Sequence, residues 1–156
     1  MQGTVKRGLV LACGNSQRSD DGAGPAVAEY LRRGDCRPGI EISSCGQWTP
    51  ELSEPISKMD IVVFVDASED VPPGVIGWRQ LQPAQLPAES LTHHTTPESL
   101  LWLAQELYGK HPERAYLVTV GGDSFELGEE LSASVCGAIP NVAERVKTLL
   151  SAISLS

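Results

Sequence analysis

The sequence predicts a three-layer α/β/α sandwich built on a mostly parallel sheet of about five strands. Three features predict it. Short apolar runs alternate with segments of helical period along the chain, the pattern of successive strand–helix units. One of these runs, Ile61-Val62-Val63-Phe64-Val65, is apolar at every position, as expected of a central parallel strand covered on both faces. A glycine-containing polar loop, Gly14 to Gly24, follows the first apolar run and precedes the first helix. In open α/β sheets, ligands bind outside the carboxyl ends of the parallel strands, which is where this loop falls.

Each element has its own justification. Gly8 to Cys13 is apolar and strand-length. Residues from about Gly24 to Arg33 form a helix with Pro25 in its first turn and Val27, Tyr30 and Leu31 at helical spacing. Gly34 and Pro38-Gly39 stop it and turn the chain. Ile40 to Cys45 alternates and reads as the second strand. Thr49-Pro50-Glu51 is an N-cap followed by Pro, opening a short helix with Leu52 and Ile56 inward and Pro55 disturbing its middle. The third strand then runs to Asp66, placed at its carboxyl end. Pro72-Pro73-Gly74 turns into a strand over Val75 to Leu81. A helix opens at Thr96 or Pro97 and closes at Gly109, with Leu100, Leu103, Ala104 and Leu107 as its buried stripe. Ala115 to Val120 is the last strand, and Ser132 to about Ile153 the last helix, kinked at Pro140.

Size and composition narrow the function. The 156 residues suit one domain spanning 1–156, with enough chain for a real core. A net charge of −8 with no basic stripe argues against nucleic acid as a partner. No apolar run is long enough to span a bilayer, and the short run after Met1–Arg7 ends in Cys13-Gly14-Asn15, so it reads as a strand and not a secretory signal. A cytoplasmic monomer without membrane contact is expected. The four cysteines form no CxxC pair, so reduced thiols are expected there.

Three polar residues fall after strands: Asp21 after the first, Asp66 ending the third and His94 after the fourth. Positions of this kind can converge on one rim, and two carboxylates with an imidazole suit an open site for a first-row metal. Each also has a plainer role, as a helix-dipole partner, a loop ligand or a surface residue ahead of an N-cap. Asp20 and Asp21 are more acid than a cap needs, and Asn15 stands in the same loop. Cys13 and Cys45, near strand ends, are candidate nucleophiles if paired with His94, although a small buried thiol is the commoner use of Cys.

The loop GNSQRSDDGAG with its following helix resembles the opening of the nickel-iron hydrogenase maturation endopeptidases, cytoplasmic proteases of aspartyl type that trim the large subunit of those hydrogenases. FVDAS, HHTTPESLLWLA, ELYG, YLVTVGGDSFELGEELS and the helix with AIP extend the resemblance over nearly the whole chain, closest to the branch serving bidirectional NAD(P)-linked enzymes. The resemblance implies removal of a short C-terminal extension from the large-subunit precursor. It implies Asp21, Asp66 and His94 as ligands of nickel that the precursor itself carries. Asn15, Gln47 and Trp48, on loops of the same rim, are then expected to meet the substrate. The chain departs from the family at Cys13, where Gly is usual, at Gln17, and in Cys45-Gly46-Gln47-Trp48-Thr49, where a Gly-Gly-Thr run is common. A receiver-like phosphoacceptor domain is the alternative, with Mg²⁺ held by Asp20, Asp21 and Asp66. It lacks support in Val120-Gly121-Gly122-Asp123, where a receiver carries Lys.

Overall fold

A computed structural model of the chain describes residues 6–34, 38–86, 95–128 and 130–154. Five strands form one sheet: β1 (Gly8–Cys13), β2 (Ile40–Cys45), β3 (Ile61–Ser68), β4 (Ile76–Gln80) and β5 (Arg114–Gly121). Their order is β2-β1-β3-β5-β4. The first four in that order are parallel, and β4 joins β5 antiparallel at the edge. The chain order reverses direction across the sheet at β1 and β3, the switch point at which α/β sheets open a crevice.

Four helices cover the two faces: α1 (Ala23–Arg33), α2 (Ser53–Ser57), α3 (Pro97–Tyr108) and α4 (Ala133–Ser154). Strand alternation divides the core between them. Val10, Ala12, Ile61, Val63, Val65, Tyr116, Val118 and Val120 pack with α1 and α4. Leu9, Leu11, Val62, Phe64 and Ala115 pack with Ile56 of α2 and with Leu100, Leu101 and Ala104 of α3. The unbroken apolar run of β3 therefore serves both layers at once, as a central strand must.

The helices carry their own start and stop signals. Thr96 caps α3 in a reciprocal capping box with Ser99, Pro97 occupies its first position, and Gly109 closes it at φ 78°. The buried stripe of α3 is Pro97, Leu100, Leu101 and Ala104. Leu107, expected inside, is 61% exposed because the last turn, with Tyr108 also out, is uncovered. Tyr30 of α1 is likewise exposed, and Val27, Ala28 and Leu31 make the contact instead. Pro55 sits in the first turn of α2, where its missing N–H costs nothing, so the short helix forms around it. The helix α4 runs on through Pro140. Val75 lies outside β4 and is exposed.

Among the described residues no helix is long and apolar enough to cross a membrane.

Candidate active site at the carboxyl rim

The site begins with a row of side chains across the strand ends. Cys13 and Cys45 are partners in the register of β1 and β2. Ala12 pairs with Val65, so Asp66 is the residue opposite Cys13 one step further along. Register partners in parallel strands point to the same face, and Cys45, Cys13 and Asp66 all share the face of Leu9, Leu11, Val62 and Phe64. Asp66 does not end its strand as the sequence suggested. The strand β3 continues to Ser68, paired only with β5, and Asp66 faces Thr119 there. Asp66 is thus the first residue of β3 not paired with β1, with Cys13 on that flank.

The loop after β1 brings the second carboxylate. Gly14 takes φ 153° and lies so close to the Asp21 carbonyl that a side chain would not fit, so only glycine serves here. The Gly14 amide donates to the Cys45 carbonyl at 3.0 Å, tying the loop to the end of β2. Asn15 folds the loop with its side-chain oxygen, which accepts from the Gln17 amide at 2.9 Å. The Asn15 amide in turn donates to the Asp21 carboxylate at 2.9 Å.

Asp20 and Asp21, adjacent in sequence, have opposite fates. Asp20 is fully buried. Its Oδ2 accepts the amides of Asp123 and Ser124 at 2.7 and 3.1 Å, and its Oδ1 accepts the Ser132 amide at 2.7 Å. Burial alone would raise its carboxyl, but those amides and the Ser132 hydroxyl outweigh it and hold it below the ordinary carboxylate range. Asp20 pins the loop after β1 to the segment after β5. Ser19 completes the join, its amide donating to the Gly128 carbonyl and its hydroxyl to that of Glu126. With both oxygens of Asp20 taken by amides, it is not free for the Mg²⁺ of a receiver-like site, and that reading loses a ligand.

Asp21 faces Asp66. Burial pushes the Asp66 carboxyl up, the Ala67 amide donating to Oδ1 at 2.9 Å pulls it part of the way back, and the negative Asp21 raises it again, to about 7. A carboxyl held near neutrality beside a second carboxylate can accept or release a proton at physiological pH. Beside them, the thiol of Cys13 hydrogen-bonds Cys45. That bond pushes Cys13 up, with burial and the neighbouring Asp66 adding to it. The same bond makes Cys45 more acidic than an ordinary thiol, against burial and Asp66 and with help from the Gln47 amide. Its burial keeps the Cys13 thiol from reaching a substrate carbonyl as the protease nucleophile.

The other expected site residues divide. Asn15 and Gln47 are exposed on the rim. Trp48 is half-buried, its ring edge-on to Phe64 at 5.4 Å, so it anchors its loop on the sheet face that carries Asp66. His93 and His94 lie outside the described residues. Among the described residues no three His, Cys, Asp or Glu side chains gather as a metal ligand set. Two things escaped the sequence: the anchoring duty of Asp20 and the pairing of Cys13 with Cys45. The second was signalled by each Cys being the last residue of its strand, once those strands are neighbours.

No family model matches the chain, and no curated protein matches it. Solved structures do. The hydrogenase maturating endopeptidase HybD from E. coli is 25% identical, with a TM-score of 0.74 over 92% of this chain and 91% of that one. The NiFe hydrogenase maturation protease HycI from Thermococcus kodakarensis is 26% identical, with a TM-score of 0.70 over 94% and 93%. A hydrogenase 2 maturation peptidase from a Thaumarchaeota archaeon is 25% identical, with a TM-score of 0.67 over 97% and 100%.

Proposed function

We propose that this chain is an endopeptidase that matures a nickel-iron hydrogenase, removing a short C-terminal extension from the nickel-loaded large-subunit precursor. The observation that carries the proposal is the placing of Asp21 and Asp66 at the switch point of the sheet, one in the loop after β1 and one within β3, near enough for the charge of Asp21 to raise Asp66. The likeness to solved maturation endopeptidases along nearly the full length of the chain supports it.

The nickel belongs to the substrate. Two carboxylates and, from the sequence, His94 make an oxygen- and nitrogen-donor set that leaves most of the coordination sphere to the precursor. Asp21 is held for this by the Asn15 amide. Asp66, raised to about 7, binds the metal as the carboxylate. The free protein is then inert, and nickel on the precursor signals that the precursor is ready to be cut. Asn15, Gln47 and Trp48 border the same rim and meet the precursor around the metal. The large subunit of a bidirectional NAD(P)-linked hydrogenase is the partner that the sequence resemblance favours, met in the cytoplasm by a monomeric protease.

The test is incubation of the purified protein with nickel-loaded precursor, followed by mass measurement of the large subunit. Loss of a C-terminal peptide by the wild type, and none by Asp21→Asn, is the expected result. An uncut loaded precursor with the wild type overturns the proposal.

A further inference from the structure

We propose that Cys13 and Cys45 form a thiol–disulfide couple that closes across the ends of β1 and β2 and makes the rim responsive to redox state. The geometry is that of neighbours in register on adjacent parallel strands. Such strands lie about 4.8 Å apart, inside the range of Cα separations that disulfides span. Both side chains point to the same face. The backbone there is also coupled, because the Gly14 amide donates to the Cys45 carbonyl.

The two sulfurs are unequally placed, as a reacting pair should be. Cys45 is partly exposed, whereas Cys13 is 6% exposed behind it. An oxidant therefore meets Cys45 first. With a low-molecular-weight disulfide such as oxidised glutathione, the Cys45 thiolate attacks one sulfur and releases one small thiol. Cys13 then attacks the Cys45 sulfur of the mixed disulfide and releases the second. One S–S bond has broken and one has formed, and the two protein S–H protons leave on the two small thiols. The exposed Cys136 is not among the groups that face this pair and stops at the mixed disulfide. Closure fixes the start of the Gly14–Asp21 loop to the start of the Gln47–Trp48 loop, beside Asp66. The couple stands on the strand register alone and does not depend on the protease reading.

The experiment exposes the reduced full-length protein to glutathione buffers of rising oxidised fraction, blocks free thiols, and maps the cysteines by mass spectrometry of non-reduced digests. The expected result is a Cys13–Cys45 linkage in most molecules, with the loss of two hydrogens and full reversal by dithiothreitol. In Cys13→Ala, Cys45 is expected to stay trapped as the glutathione adduct. In Cys45→Ser, which changes the more exposed position, Cys13 is expected to stay unmodified. A wild-type map showing adducts only at Cys36 or Cys136, a different linkage, or a Cys45 adduct that Cys13 does not displace overturns the proposal.

Discussion

Replacing Asp66 by Asn should stabilise the protein at alkaline pH while destroying its activity. The folded-state carboxyl of Asp66 is pushed up to about 7, whereas an unfolded Asp titrates near 4. Between those values the folded protein holds a proton that the unfolded chain has lost, so stability falls as pH rises through that window and levels off above it. For a fully enclosed group the difference is worth about 4 kcal/mol. Asp66 is only partly buried and water screens it, so about 2 kcal/mol is the expected cost at pH 8. Asn keeps the volume, and its oxygen can still accept from the Ala67 amide, but it never ionises. Asp66→Asn should therefore melt about 4–8 °C higher than the wild type at pH 8 and only about 1–3 °C higher at pH 5. Thermal unfolding of both proteins from pH 5 to 8 measures this. A variant that is less stable than the wild type at pH 8, or a difference that does not grow with pH, refutes the claim that ionised Asp66 is held in the fold at a cost.

Further substitutions have defined outcomes. Asp20→Asn puts an NH₂ group against backbone amides that now donate to a carboxylate, and should destabilise the protein by about 2–4 kcal/mol at pH 7, read by denaturant unfolding. The stabilisation from Asp20 in the wild type is present above pH 4 and should be lost as pH falls through its lowered folded-state value. Asp21→Asn should abolish precursor cleavage with little change in melting temperature, and should lower the titration midpoint of Asp66 followed by carboxyl NMR, because a negative neighbour is gone. His94→Ala should lose cleavage while His93→Ala keeps it, because the sequence resemblance implies His94 as the ligand; equal activities would place the ligand elsewhere.

How far the sequence reveals this molecule depends on where the determining contacts lie. The local signals read correctly: the apolar run of β3, the Thr96 cap, and Gly109 at the end of α3. Spacing could not tell that the last turn of α3 would stand clear of the sheet and leave Leu107 outside, because that depends on what lies beneath the helix. The antiparallel edge placement of β4 is likewise a matter of long-range pairing. At the rim, the placing of Asp21 and Asp66 towards the ends of apolar runs was legible in the sequence. Which of Asp20 and Asp21 would be spent on structure was decided by amides more than a hundred residues away. The side-by-side placement of Cys13 and Cys45 follows from the strand order β2-β1-β3, which periodicity does not encode.

The central claim is that this rim reads nickel on a hydrogenase precursor before a peptide is released. The direct measurement presents the free, nickel-free protease with two preparations of one large-subunit precursor, one loaded with nickel and one without, and follows the mass of each. The account predicts that only the loaded precursor loses its C-terminal extension, and that the protease itself carries little nickel by elemental analysis. Equal cleavage of both preparations, or tight stoichiometric nickel in the free protease, would contradict it.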